Sequence, residues 1–226
     1  MCIIIAKKAG LVLPKKEILQ NCFTNNPDGA GFMFTHKDKT IIKKGYTDFK
    51  TFYHDLIKYN FRYNLKYKNV VLHFRIATHG GVTPAKTHPF LLTDDVDVLN
   101  SIDVKAAAPG VAHNGVLYNY TNNKQLSDSQ NFIKDFLFKI YSIDKKFYNN
   151  NNFNDIILQV IGAANKLAII DGHELHTYGH FIEDGGVLYS NDSYKVKKTY
   201  TPVYYKKYNN YNTYSIYNDY NYYMDY

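Results

Sequence analysis

Apolar positions along the chain fall into short runs and helical stripes, separated by breaks rich in Gly, Asn and charge. "CIIIA" at the start is a continuous apolar run, the pattern of a strand covered on both faces. "GAGFMFT" and "TIIKKG" predict two more strands joined by the polar turn "HKDK". Phe49, Phe52, Leu56 and Ile57 then recur at helical spacing, and "NVVLHFRIA" reads as a strand running into a loop rich in Gly, Thr and Pro. After "LSDSQ", Phe132, Ile133, Phe136, Leu137, Ile140 and Tyr141 line one helix face, with Ser127 and Gln130 spaced as a capping box. "FNDIILQVIGAA" predicts another helix, "KLAIIDGHELHTYG" a hairpin around Asp171-Gly172, and "GGVLYSN" a closing strand. Strands at both ends with helices between them predict an α+β fold in packed layers.

The pattern changes near residue 195. Lys195, Lys197, Lys198, Lys206 and Lys207 form a basic connector without an acid, and from Tyr205 to Tyr226 a tyrosine recurs every third residue. Period three suits neither an amphipathic helix nor a half-buried strand, so residues 195–226 read as a low-complexity tail after a domain at 1–194. The tail is read either as a tolerated repeat expansion, or as an aromatic platform for single-stranded nucleic acid or self-association.

Composition narrows the class. With 226 residues, 45% of them hydrophobic, the chain can bury one substantial core. No run of 18 apolar residues occurs, and the first residues lack the charged and apolar regions of a signal peptide. These observations predict a soluble, cytoplasmic protein that does not enter a membrane. The net charge of +7 permits attraction to nucleic acid or another polyanion without requiring it. Two cysteines, Cys2 and Cys22, make no disulfide framework and are expected to be free thiols.

Four stretches carry candidate chemistry, each with a structural alternative. In "VAHNGVLYNY", Asn114 and Gly115 form either a hairpin turn or an oxyanion hole, in which a side-chain amide and the next backbone N–H converge on one oxygen. In "HFRIATHGG", Arg75 is placed at a strand end for bidentate carboxylate capture or for a solvated ion pair, with Thr78 and His79 equally ambiguous. Asp128 in "LSDSQNF" complements the helix dipole or holds an ammonium group. "NNPDGAGF" is a competent turn around Pro27-Asp28-Gly29 that requires no chemistry. His173, His176 and His180 do not make a metal set, since they lie on a predicted hairpin where alternate residues point to opposite faces. Cys2 stands apart. If the initiator methionine is removed, it becomes a terminus carrying a thiol and a free amine, a nucleophile with its own base.

Taken in order, Cys2, "NPDGAG", "HFRIATHG", "THPF", "AHNGVLYN" and "SDSQ" resemble the class II glutamine amidotransferases, the N-terminal-nucleophile branch with a catalytic first cysteine. The resemblance spans roughly residues 2–194. It implies a four-layer αββα sandwich, no cofactor or metal, and hydrolysis of the glutamine side-chain amide with ammonia passed to an acceptor. By position, it implies that Cys2 is the nucleophile, its α-amine the base, and Asn114 and Gly115 the oxyanion hole. Arg75 would bind the glutamine carboxylate and Asp128 its ammonium, with Thr78, His79 and Gly80 shaping the pocket. Ile76 stands where several relatives carry an aromatic, and Gln130 where the block often has Glu. No acceptor domain is evident after the closing strands, so the expected acceptor is a separate synthase. Two alternatives remain open: an N-terminal-nucleophile hydrolase of another amide, and a non-enzymatic nucleic-acid- or protein-binding module acting through the tail.

Overall fold

The computed structural model describes residues 2–77, 82–121, 123 and 125–196, so the tyrosine repeat lies outside the described residues. Two antiparallel sheets organise the described chain. The larger contains β1 (Ile3–Lys7), β2 (Ala30–His36), β3 (Lys39–Tyr46), β4 (Val70–Phe74), β6 (Asp103–Ala106), β10 (Ile182–Asp184) and β11 (Val187–Tyr189). Its order is β10-β11-β1-β4-β2-β3-β6. The smaller contains β5 (Phe90–Leu91), β7 (Gly110–Asn114), β8 (Lys166–Asp171) and β9 (Glu174–Tyr178), in the order β5-β7-β8-β9.

The unbroken apolar run of β1 has a direct cause in packing. Ile3 and Ile5 join one buried cluster with Phe32, Phe34, Leu72 and Phe74, capped by Leu19 and Phe23 of α1 (Lys16–Asn25) and by Phe52 and Leu56 of α2 (Phe49–Tyr63). Ile4 and Ala6, pointing the other way, join a second cluster with Met33, Ile42 and Val71 of the same sheet and Ala112, Ala168 and Ile170 of the smaller sheet. A strand buried on both faces has no position left for a polar alternation. Burial of each such side chain stabilises by about 1.5–3 kcal/mol. The sheets approach closely at Gly110, where a Cβ would lie 2.5 Å from Met33 Sδ.

A third cluster lies on the far face of the smaller sheet. Val111, Leu167 and Ile169 pack there against Phe132, Ile133, Leu137 and Ile140 and against Ile157 and Ile161 of α6 (Asn151–Ile161). The first four come from one continuous helical segment, α4 (Asp128–Phe132), a π-helical turn (Ile133–Leu137) and α5 (Phe138–Ile143). Ser127 and Gln130 close the expected capping box. The Gln130 amide nitrogen also donates to Asn100 Oδ1 at 2.9 Å and to the Leu99 carbonyl at 3.3 Å. A glutamate there would have no proton to offer either acceptor, which accounts for the amide at this position.

Two expectations are extended or corrected. The predicted strands, the 166–178 hairpin and the helices at 49, 128 and 151 are present, but α1, α3 (Val96–Asn100), β5, β6 and β10 add to them. Asn114-Gly115 is not a hairpin turn: β7 ends at Asn114, pairs only with β5 and β8, and gives way to a helical turn at Tyr118–Tyr120. Among the described residues no helix is long and apolar enough to cross a membrane.

Candidate active site

Cys2 lies one residue ahead of β1, and the pairing of that strand decides its surroundings. Ile3 opposes Phe74, so Cys2 meets the loop leaving β4. The half-buried thiol donates to the Ile76 carbonyl and accepts from the Ile76 N–H, each at 3.4 Å. Burial raises its pKa, opposed by the Ile76 hydrogen bond and the Arg75 charge. Cys22, the other free thiol, is sealed in the helix-facing core, where burial pushes it up to about 12.

Backbone around Cys2 is anchored from the far end of the domain. Asn191 Nδ2 donates to the Cys2 carbonyl at 2.7 Å, and the Ile4 N–H donates to Ser190 Oγ at 2.8 Å. The Ser190 N–H returns to the Ile4 carbonyl at 3.0 Å. The Asn114 amide meets the same Ser190 Oγ at 2.8 Å. One two-residue segment after β11 therefore holds both the strand that carries the thiol and the asparagine of β7. Asn114 is 3% exposed, and its second amide atom has no hydrogen-bond partner.

Arg75 continues β4 and is 6% exposed, which replaces the solvated ion pair with a buried charge. The turn before β2 secures it. Arg75 N–H donates to the Gly29 carbonyl at 2.7 Å, Asp28 N–H donates to the Arg75 carbonyl at 2.9 Å, and the Asp28 carboxylate accepts from Ala77 N–H at 2.7 Å. The Pro27-Asp28-Gly29 turn thus has a definite task, clamping the loop that presents the guanidinium. Thr78, His79 and Gly80 lie outside the described residues.

The two sheets are joined beside the site. His73 Nε2–H donates to the His113 carbonyl at 3.0 Å, placing Arg75 two residues beyond one partner and Asn114 one residue beyond the other. His113 Nε2–H donates to Asn165 Oδ1 at 2.8 Å, leaving Nδ1 to accept from Ser129 Oγ–H at 2.8 Å. Burial holds His73 down to about 3 and His88 well below its ordinary value. It also lowers His113, although the Asp128 charge opposes that shift, so all three imidazoles are neutral at pH 7. Asp128 accepts from Leu117 N–H and Ser129 N–H, each at 2.8 Å, which ties it to the segment following Asn114-Gly115.

Gly115 adopts φ +140, and a Cβ there would lie 1.9 Å from Asn165 Oδ1. Asn165 cannot retreat freely, because its amide also donates to the Ile161 carbonyl at 2.7 Å. Gly115→Ala is therefore expected to cost about 2 kcal/mol of stability, read as a shifted midpoint in chemical denaturation.

Cys2 and Arg75 thus lie together at the end of the β1–β4 pairing, Asn114 is joined to β1 through Ser190, and Asp128 is joined to the segment after Gly115 through Leu117. Asp28, Ser190 and Asn191 were not singled out as site residues by the sequence patterns. No family model matches the chain, and no curated protein matches it.

Proposed function

We propose that this protein is an N-terminal-nucleophile glutaminase of the class II amidotransferase kind, with the two sheets and flanking helices forming its four-layer αββα sandwich. One observation carries the reading: the backbone that carries a half-buried thiol and the side-chain amide of a buried asparagine are anchored to the same Ser190-Asn191 segment.

Asn114 Nδ2 donates one N–H to Ser190 Oγ at 2.8 Å, which fixes the amide and leaves the second N–H of that group to donate to a substrate oxygen. The Gly115 N–H is the other donor of the proposed pair.

After methionine removal, the Cys2 α-amine takes the thiol proton, a transfer close to balance for the free groups, at about 8 and 8.5, and made less favourable here by burial, which raises the thiol. Sulfur adds to the glutamine side-chain carbonyl carbon, and the oxygen gains the charge that Asn114 NH2 and Gly115 N–H stabilise. Collapse breaks the C–N bond, the amine returns its proton to the departing nitrogen, and ammonia leaves a thioester. Water, deprotonated by the same amine, then releases glutamate and restores the thiol. Arg75 pairs with the substrate carboxylate, and Asp128, whose oxygens retain lone pairs beyond their backbone bonds, takes the ammonium.

A diazoketone analogue of glutamine tests the assignment directly. Intact-mass and peptide analysis is expected to show methionine loss and one adduct, on Cys2 and not on Cys22. An unlabelled Cys2, or label on Cys22, overturns the reading. Ser190→Ala is expected to lower kcat about 10–100-fold, since the amide is released from its orientation. Alkylation of Cys2 by iodoacetamide, which passes through no oxyanion, is expected to keep its rate. Equal losses in both reactions would mean that Ser190 acts only by holding β1.

A further inference from the structure

A second feature lies at the opposite end of β2 from the Arg75 loop. His36 closes β2, Lys37 belongs to the tight turn into β3, Lys39 opens β3, Arg62 and Tyr63 end α2, and Lys105 projects from β6. Together these six residues line an open cleft of about 460 Å3. No carboxylate lines it; Asp38, in the same turn, is not among the lining residues. Elsewhere in the domain the lysines that meet acids do so in pairs, as Lys43 with Asp103 and Lys146 with Asp171 and Glu174. Among the described residues Lys37, Lys39, Arg62, Lys68 and Lys105 form no ion pair.

These charges converge rather than merely share a surface. The His36 imidazole is held below its ordinary pKa by partial burial and then by Lys68, Lys37 and Lys105. One ring therefore senses three cations from three separate elements. The Tyr63 ring lines the same wall, with His36 edge-on at 5.0 Å and the Arg62 guanidinium 5.2 Å from its centroid. Gathering like charges without counter-charges opposes folding at low ionic strength, and a polyvalent anion relieves that repulsion by entering.

We propose that this cleft is a binding site for clustered phosphate groups, in a free oligophosphate or a nucleic-acid backbone. Lysines at the rim supply point charges, Arg62 offers a planar fork suited to phosphate oxygens, and Tyr63 provides a face for a base or for the guanidinium. The site is independent of the glutaminase reading, because it shares no residue with the Cys2 cluster.

The test compares the full-length chain with the Lys37→Gln/Arg62→Gln/Lys105→Gln variant, using inorganic tripolyphosphate and a single-stranded oligonucleotide as separate ligands. Titration calorimetry at low salt is expected to show binding of at least one ligand, weakened at least tenfold in the variant, with a shallower salt dependence. Tripolyphosphate binding would identify a compact oligophosphate as sufficient, and binding of the oligonucleotide alone a polymeric backbone. In the absence of ligand the variant is expected to melt at the same or a higher temperature at low salt, as removal of repulsion requires. Equal affinities of both proteins for each ligand, or no binding by the wild type, would overturn the proposal.

Discussion

Under the proposed glutaminase function, Cys2→Ala is expected to lower glutamine hydrolysis at least about 10^4-fold while leaving stability within about 1 kcal/mol of the wild type. The separation of the two effects follows from how the residue is held. Its side chain makes two sulfur contacts of 3.4 Å, both with the Ile76 backbone. Its position, in contrast, comes from Asn191 on its own carbonyl and from the Ile3-to-Lys7 ladder with β4. Alanine removes the proposed nucleophile and keeps the anchors. Ammonia release measured beside a urea unfolding curve checks both halves. Substantial turnover by the alanine variant would place the chemistry elsewhere.

Lys7→Met is expected to destabilise the fold by about 3 kcal/mol, the largest stability loss foreseen here. Lys7 ends β1 and is 1% exposed. Its ammonium lies among five backbone carbonyls, those of Lys8, Leu11, Leu65, Lys66 and Lys68, at 2.8–3.3 Å. It thereby joins the loop after β1 to the turn between α2 and β4. Methionine fills a similar volume but brings no donor, so buried carbonyl groups are left with poorer partners. Burial pulls the Lys7 pKa down to about 8, below the unfolded value of about 10.4. Between those values the unfolded chain binds more protons, so the contribution of Lys7 to stability rises with pH across that window. Urea midpoints of both proteins at pH 7 and pH 9 check the magnitude and the sign; a variant as stable as the wild type at both would show that the carbonyl cluster needs no cation.

Much of the architecture was legible because its causes are local. The capping box, the 171–172 turn and the apolar stripe of α4 to α5 are each set within a few residues, as were the strands with continuous apolar runs. α1 escaped because Lys15, at its N-cap, makes no side-chain cap and only Leu19, Cys22 and Phe23 are buried along it. β5, with two residues, and β10, with three, are too short to carry a period. Within the site, the motifs at Cys2, Arg75, Asn114 and Asp128 were visible, whereas their supports were not. Asp28 acts across 49 residues, Ser190 across 76 and 186, and Asn191 across 189, distances that no local pattern encodes. The Asn114-Gly115 pair misled for the complementary reason: its backbone freedom suits a hairpin, but Gly115 uses that freedom to pass Asn165.

The long reach of Ser190 and Asn191 has a bearing on synthesis. In a chain still on the ribosome and short of residue 191, nothing would tether the Cys2 carbonyl or steer the Asn114 amide. On the proposed reading, truncated translation products would lack the geometry for hydrolysis while presenting a loosely held Cys2 thiol to oxidants.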